Sequence, residues 1–179
     1  CIFIDVTDTE NARALASESM REVAELKAAL DAHAIVAVTD AKGVILQSNS
    51  VFVRLSRYSR EQLIGAPHNI IRHPSMPGGA FLLMWDTLAA GRPSCAYVDN
   101  LAADGSRYTV FATITPLGQD YLSVRFRPQR TDLLEAARGL YAAVRPGELE
   151  HRARGGSAHA AAVEGLGRLA ELLAGAGLP

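Results

Sequence analysis

The amino-acid sequence predicts an α+β fold: a five-stranded antiparallel sheet, short helices on one face, and flanking N- and C-terminal helices. Three observations support this fold class. β-Branched runs occupy the middle of the chain, turn sequences such as Asp-Gly separate several of them, and stretches rich in Ala, Glu and Arg with helical spacing lie at both ends. The 179 residues suffice for one domain of ordinary size with helical extensions.

The composition is that of a near-neutral, cysteine-poor chain. Its 18 basic and 19 acidic residues give a formal net charge of -1, so we expect no nucleic-acid partner and no polybasic membrane patch. The two cysteines, Cys1 and Cys95, are too few for a disulfide framework and lack zinc-site spacing. We find no signal peptide and no apolar run approaching the length of a membrane span, roughly 18 residues. We therefore expect a cytoplasmic protein without direct membrane insertion, and a start at Cys1 is compatible with a piece of a longer one.

Residues 1–33 are predicted to form an N-terminal segment and a helix. Residues 1–10 alternate apolar and polar side chains at first, which is compatible with a short strand or a frayed start. From Asn11 to about His33 the spacing becomes helical, and Lys27 interrupts the apolar stripe. The stripe consists of Ala16, Met20, Val23, Leu30 and Ala34. It can pack on its own domain or on a second copy, and its narrowness and charged flanks favour dimerisation.

Residues 34–128 show the pattern of a sheet with inserted short helices. Residues 34–48 predict a β-hairpin around the turn sequence Asp-Ala-Lys-Gly. Residues 49–63 favour helices in short pieces, and the prolines and glycines of residues 66–79 exclude a long helix. A longer helix is predicted from the helical spacing of Phe81, Met84, Trp85 and Leu88.

Three further strand candidates complete the predicted sheet. Residues 95–101 and 108–115 flank an Asp-Gly turn, which is a strong hairpin signal because this turn tolerates positive φ. Residues 121–126 follow the turn at Gly118 and form the fifth strand candidate. The order β-β-short helices-α-β-β-β places the helices on one side of an antiparallel sheet.

Residues 129–179 are predicted to be a C-terminal helical extension. A helix over residues 132–144 is expected to end at Pro146, and a polar break at residues 152–157 precedes a last helix near residues 160–174. The apolar face predicted for that last helix consists of Val163, Leu166, Leu169 and Leu173.

Two segments of the middle region resemble a PAS sensory domain. Residues 40–45 followed by residues 49–52 are similar to the family's opening hairpin and first helix. Residues 56–65, SRYSREQLIG, are similar to its SGYS-x-EEL-x-G segment, with Arg57 where glycine is usual.

A narrower match resembles the FAD-binding PAS domain of Aer-type aerotaxis receptors. It consists of residues 68–77, HNIIRHPSMP, followed by Ala80-Phe81 and by residues 84–88, MWDTL. The likeness covers about residues 30–146. The chain departs from the family pattern at Ser75, where Asp is usual, at Ser94, where Trp is usual, and at Thr113, where Asn is common.

The resemblance implies a sensor that binds FAD non-covalently in a cleft between the sheet and the short helices and senses redox state or oxygen. It implies cofactor contacts from Asn49, Arg72, His73, Phe81, Trp85 and Asn100. Arg72 offers a forked cationic donor for pyrophosphate or for charge that appears on ring reduction. The partners implied are a second copy, in a homodimer, and a downstream signalling partner or fused output domain.

Each of these side chains also has an ordinary structural interpretation. Arg72 could form a surface ion pair with Asp86 or Glu61, and Trp85 could be a core residue. Histidine at position 73 could cap or pack, and the asparagines could cap helices or turns.

Two alternatives to a flavin sensor are compatible with the sequence. A haem-binding gas sensor would need a histidine ligand, but His68 and His73 are five residues apart, which is a poor spacing for one helix face. A cofactor-free PAS module would use the helices of residues 11–33 and 160–174 for dimerisation or docking. We do not expect an enzyme, because the sequence has no phosphate loop, no Gly-x-Ser-x-Gly and no His/carboxylate cluster. Cys95 is expected to be a small buried strand residue.

Overall fold

The computed structural model describes residues 7–175. In chain order the elements are α1 (Thr7–His33), β1 (Ile35–Thr39), β2 (Ile45–Ser48), α2 (Ser50–Ser56), α3 (Arg60–Leu63), the 3-10 helix η1 (His68–Ile71), α4 (Gly78–Ala89), β3 (Ser94–Leu101), β4 (Arg107–Leu117), β5 (Asp120–Phe126), α5 (Thr131–Ala153) and α6 (Ala158–Gly175). Residues 7–10 belong to α1, so the short strand that was one of two interpretations of residues 1–10 is wrong there, and residues 1–6 lie outside the described part.

The five strands form one antiparallel sheet in the order β2-β1-β5-β4-β3. The last strand in sequence, β5, lies at the centre between β1 and β4, so its side chains have a neighbouring strand on both sides. The helices between β2 and β3 cover one face of this sheet. The predicted α+β fold is confirmed.

The hydrophobic core fills one end of the space between this sheet face and the short helices. Strand alternation directs side chains of β1 and β4 to the same face. Helix residues Phe52, Leu63 and Ile71, each at most 1% exposed, pack against them. The core residues contributed by the strands are Ile35, Ala37, Ile45, Val110 and Ala112. This packing fixes the short helices and leaves the other end of the space to a cavity.

The short helices begin and end through local caps. The Ser59 side chain accepts from the Gln62 backbone N–H at 3.3 Å, and the Gln62 side chain accepts from the Ser59 backbone N–H at 2.9 Å. Arg57 caps the C-terminus of α2, and its φ of 61° lies in the left-handed region that favours glycine. This is the position at which the PAS pattern has glycine.

Helix α5 does not end at Pro146 as predicted but continues through Pro146 and Gly147 to Ala153. Proline inside a helix costs about 3 kcal/mol because it lacks an N–H and its ring crowds the preceding turn. Tertiary contacts offset this cost, since Val144 and Glu148 on either side of the proline are both 2% exposed.

The apolar face predicted for α6 is partly wrong. Leu169 is buried, but Val163 is 49% exposed, and the buried positions include the small residues Ala161 and Gly165. A Cβ atom added to Gly79 would collide with the backbone of α6, so α4 and α6 approach more closely than larger residues allow.

Helix α1 leaves its predicted stripe largely exposed. Met20 and Val23 are 73% and 61% exposed, whereas Ala34, next to the sheet, is 1% exposed. Dimerisation through this helix stays a prediction. None of the helices within residues 7–175 combines the length and the hydropathy that crossing a bilayer requires.

Candidate functional site

A cavity of about 230 Å³ lies between the sheet and the segment from η1 to α4. One wall comes from α4, with Phe81, Met84, Trp85 and Leu88. The opposite wall is the sheet face, with the apolar residues Val98, Ala112 and Ile114 and the polar residues Thr39, Asn100, Ser123 and Arg125. An apolar cleft with a few placed polar groups is typical of a small-molecule site.

Aromatic rings shape the α4 wall. The Trp85 ring meets the Tyr121 ring edge to face, with centroids 5.6 Å apart. A Cβ atom on Gly43 would lie 3.1 Å from Trp85 Cζ2, so this glycine allows the β1–β2 turn to approach the indole. The Arg72 guanidinium lies 4.4 Å from the centroid of the Phe81 ring, a cation–π contact. Trp85 and Phe81 therefore form an aromatic lining rather than part of the main core.

Arg72 lines the cavity from the loop between η1 and α4. Its Nη2 donates to the Met76 carbonyl at 2.8 Å, and its backbone forms an isolated bridge with Asn100 of β3. Burial lowers the pKa of Arg72, the nearby positive charge of Arg145 lowers it further, and the carboxylate of Glu148 opposes this by raising it. The ion pairs with Asp86 or Glu61 that were the alternative for Arg72 are absent among residues 7–175.

Four of the six predicted site residues line the cavity, which are Arg72, Phe81, Trp85 and Asn100. Their contact with a cofactor stays a prediction. Two do not line it, Asn49 and His73. The His73 ring is engaged locally, with Nδ1 2.7 Å from Ser75 Oγ. That serine replaces the aspartate usual in the family.

The Asn49 side chain is fully used inside the fold. Its Oδ1 accepts from the backbone N–H groups of Phe52 at 3.0 Å and Val36 at 3.1 Å. Its Nδ2 donates to the Ala34 carbonyl at 2.8 Å and to Asp31 Oδ1 at 3.0 Å. This amide therefore caps α2 and ties it to β1 and to the end of α1. The structure does not bring it to the cavity.

A buried pair that the sequence reasoning missed lies on the cavity wall. The Arg125 guanidinium of β5 donates through Nη2 to His68 Nε2. Because arginine can only donate, His68 Nε2 is an acceptor, so the imidazole is neutral and carries its proton on Nδ1. Burial lowers the pKa of His68 well below its ordinary value, and the charge of Arg125 lowers it further. The Phe52 ring stacks on His68 with centroids 5.7 Å apart.

Strand alternation is the sequence signal that could have placed Arg125 at the cavity. Tyr121, Ser123 and Arg125 occupy alternate positions of the predicted fifth strand and so share a face. All three line the cavity. The sequence does not say which face of the strand is covered, and an arginine on a strand is usually expected to face solvent.

Three buried polar atoms on the cavity wall have no hydrogen-bond partner within residues 7–175. They are Asn100 Nδ2, Ser123 Oγ and Arg125 Nη1. Leaving a buried polar atom unsatisfied costs about 1–3 kcal/mol. Ser123 and Arg125 come from β5 and Asn100 comes from β3, on the same sheet face with β4 between them, so the polar groups of a ligand in the cavity could satisfy them.

Cys95 is exposed, which makes the prediction of a buried strand residue wrong. It alternates with Ser94 and Ala96 on β3 and lies on the opposite sheet face from Asn100. Its thiol is therefore outside the cavity. In the part of the chain that the structure covers, no group of three or more His, Cys, Asp or Glu residues could hold a metal ion.

The C-terminal helices are attached to the cavity wall through a buried carboxylate. Glu148 of α5 accepts from the backbone N–H groups of Gly78 at 2.7 Å and Gly79 at 2.8 Å, which open α4. Pro77 precedes them and offers no side-chain cap. Arg145 donates to Glu148 Oε2 at 2.9 Å and to the Pro74 carbonyl at 2.9 Å. One turn of α5 thus holds both the start of α4 and the loop that carries Arg72.

A second attachment joins α5 to β3. Arg138 Nη2 lies 3.6 Å from Asp99 Oδ1, and Arg107 also pairs with this carboxylate. Thr109 Oγ1 donates to Asp99 Oδ1 at 2.6 Å. Burial raises the pKa of Asp99, but the hydrogen bonds from Arg107 and Thr109 and the charges of both arginines outweigh it and leave the pKa below its ordinary value. The Tyr141 hydroxyl adds a bond of 3.0 Å to the Tyr97 carbonyl.

Curated proteins similar to this chain are receptors and regulators. The chain is 35% identical over 123 residues to an aerotaxis receptor of Escherichia coli K12, which covers 66% of this chain and 24% of the receptor. It is 32% identical over 82 residues to a nitrogen fixation regulatory protein of Klebsiella pneumoniae, covering 46% of this chain and 17% of that protein. The chain thus spans about a quarter or less of the length of these relatives. No protein-family model matches it.

Solved structures similar to this fold include light-sensing domains. The blue-light photoreceptor Aureochrome1 LOV in its light state matches with a TM-score of 0.53 and 19% identity, over 62% of this chain and 93% of that one. A light-oxygen-voltage domain studied with a flavin analogue matches with a TM-score of 0.55 and 20% identity, over 63% and 90%. At these identities the likeness shows the fold alone. Together, the sheet order, these matches and the receptor sequence show that the chain contains a PAS domain resembling that of Aer-type aerotaxis receptors.

Proposed function

We propose that this PAS domain is a signal-transduction sensor that binds FAD non-covalently in the cavity and reports redox state or oxygen. The observation that carries the proposal is the cavity wall, where three orphaned polar atoms lie on an otherwise largely apolar face. An isoalloxazine ring has matching chemistry, because it is flat, largely apolar on both faces and polar along one edge.

The residues present fit such a ring. Trp85 and Phe81 would cover one face of it from α4, and Val98 and Ile114 of the sheet would cover the other. The cavity volume of about 230 Å³ lies below the range of roughly 300–1,000 Å³ typical of sites that enclose a whole drug-sized ligand. We therefore expect the ring inside and the adenine dinucleotide part towards solvent, with half-buried Arg72 as a donor to pyrophosphate.

The names of two similar proteins are consistent with the proposal. The receptor that is 35% identical is an aerotaxis receptor, and a structure of similar fold is a light-oxygen-voltage domain studied with a flavin analogue. The cofactor-free alternative expects a cleft sealed by side chains, whereas this cleft is open. The haem alternative is disfavoured because the histidine that lines the cavity, His68, has Nε2 engaged by Arg125.

A bound flavin would accept electrons, and the reduced ring would differ in charge and hydrogen bonding. The chain's own contacts offer a route for that difference. Arg72 bonds to Met76, and Met76 Sδ accepts from the Asp99 N–H at 3.4 Å, so the loop that lines the cavity is tied to β3. Arg145 of α5 holds the same loop at Pro74. Helices α5 and α6 would pass the change to a downstream partner or fused output domain, and α1 would pair with a second copy.

An absorption spectrum tests the proposal. The purified protein is mixed with FAD, passed over a desalting column and scanned, and we expect flavin bands from retained cofactor. Arg72→Ala should retain less FAD because it removes a donor at the cavity, while the control Arg92→Ala, at an exposed position beyond α4, should match the wild type.

Two outcomes would contradict a flavin sensor, and a third would contradict the role of Arg72. A Soret band in the protein as purified would favour haem. A colourless, fully folded dimer that excludes FAD would favour the cofactor-free docking module. Equal retention of FAD by wild type and Arg72→Ala would remove Arg72 from the site.

A further inference from the structure

Arg125 is a buried cation without a counter-anion among the side chains that the structure describes. It is 6% exposed, its Nη1 has no partner, and the partner of its Nη2 is the neutral ring of His68. None of the ion pairs formed within residues 7–175 includes it. Burial lowers the pKa of Arg125 to about 10, which still leaves it charged at neutral pH. Buried charges are normally paired, because taking an isolated charge out of water is costly.

The groups around Arg125 do not neutralise it. The Tyr108 hydroxyl is buried and also lacks a partner. Burial raises the pKa of Tyr108 to about 12, although the charge of Arg125 opposes this, so the phenol is uncharged at neutral pH. The Phe52 ring, 5.4 Å from the guanidinium carbon, contributes a weak cation–π contact. The negative charge that Arg125 lacks must therefore come from outside the described chain.

We propose that Arg125 binds negative charge on the flavin ring itself and thereby favours the reduced ring over the oxidised one. This inference rests on the proposed function. Arg125 lies on the central strand β5, whereas Arg72 is half-buried on a loop. A cavity of this size leaves the phosphates of FAD outside, where Arg72 and not Arg125 would bind them. The ring is the part of FAD that the cavity can enclose.

The charge balance explains the preference. The oxidised ring is neutral, and uptake of two electrons and one proton leaves it with one negative charge. A cation already in place stabilises that charge strongly, because a buried site excludes water and needs no rearrangement. Phosphates carry the same charge in both redox states, so a phosphate-binding arginine would not discriminate between them.

The test compares Arg125→Gln, which removes the charge but keeps hydrogen-bond donors, with Arg125→Lys, which keeps the charge. Arg127→Gln is the matched control, because Arg127 lies two residues further along and is exposed. Each variant is loaded with FAD, and in a second series with riboflavin, which has the ring but no phosphate. The midpoint potential is measured by spectroelectrochemical titration with dithionite as the reductant.

We expect Arg125→Gln to lower the ratio of reduced-ring to oxidised-ring affinity at least tenfold. For a two-electron couple this lowers the midpoint potential by about 30 mV. The shift should be the same with riboflavin, and Arg125→Lys should recover most of it. An unchanged potential overturns the inference. So does a variant that loses oxidised FAD but holds riboflavin as well as the wild type, since that result assigns Arg125 to phosphate.

Urea unfolding of the ligand-free protein separates a binding role from a structural one. Without flavin the buried charge is unpaired, so Arg125→Gln should be at least as stable as the wild type. A clear loss of stability would assign Arg125 to the fold and overturn the inference. A wild type that binds no flavin overturns the proposed function. The ring-binding role of Arg125 fails with it, whereas a wild type that binds flavin and a variant with an unchanged potential overturn this inference alone.

Discussion

Removal of the Glu148 carboxylate should detach the C-terminal helices from the cavity wall. Glu148 is 2% exposed and accepts three hydrogen bonds, two from the N–H groups that open α4 and one from Arg145. Hydrogen bonds to a charged group contribute about 1.5–3 kcal/mol each, and breaking a buried ion pair on one side costs about 3–5 kcal/mol. We expect Glu148→Ala to lower the free energy of unfolding by about 3–5 kcal/mol. Glu148→Gln keeps one acceptor oxygen and should cost about half as much.

The measurement is urea unfolding followed by circular dichroism, together with hydrogen exchange at the Gly78 and Gly79 amides. Glu150→Gln is the matched control. Glu150 lies on the same helix, and its ion pair with Arg154 is exposed on both sides, at 72% and 74%, so it should contribute about 0–1 kcal/mol. The reasoning is refuted if Glu148→Ala unfolds within about 0.5 kcal/mol of the wild type. It is also refuted if the two amides keep their protection.

Three further predictions concern single positions. Arg57→Gly should raise the free energy of unfolding by about 0.5–1 kcal/mol, because it relieves the backbone strain of a non-glycine residue in the left-handed region, whereas Arg54→Gly within α2 should lower that free energy by about 1 kcal/mol. Equal effects of the two variants in urea unfolding would refute this prediction. Asp99→Asn should lower the free energy of unfolding at pH 7 and should make that free energy fall less steeply below about pH 4, because a carboxylate with a lowered folded-state pKa stabilises the protein above its ordinary pKa and loses that contribution on acidification. An unchanged dependence of stability on pH would contradict this prediction. Gly79→Ala should destabilise the α4–α6 contact by more than 1 kcal/mol, whereas Gly139→Ala, with open space around it on α5, should be neutral or stabilising; thermal unfolding distinguishes them.

Most of the sheet could be predicted because its signals are local. An Asp-Gly turn and two β-branched runs define a hairpin without reference to the rest of the chain. The exception at Pro146 has a non-local cause. A proline normally ends a helix, and α5 continues because Val144 and Glu148 are buried against other helices, which no local pattern reveals.

The site residues that could be predicted are those that belong to a motif similar to the family's. Arg72, Phe81 and Trp85 follow from the likeness to PAS domains and do line the cavity. Asn49 matched the same family but is engaged as a helix cap, and only its four hydrogen bonds show this. Arg125 had no motif at all. Its importance appears when β5 is placed at the centre of the sheet.

The sequence by itself determined the order of strands and short helices, the fold class and the segment that resembles aerotaxis receptors. These depend on periodicity, turn residues and short motifs, which act over a few neighbouring positions. Tertiary structure alone decided which polar groups are buried without partners and which helix holds α4. Glu148 is about 70 residues from the amides it caps, and Arg125 is 57 residues from His68. Burial and pairing at such distances depend on packing, which the linear pattern does not contain.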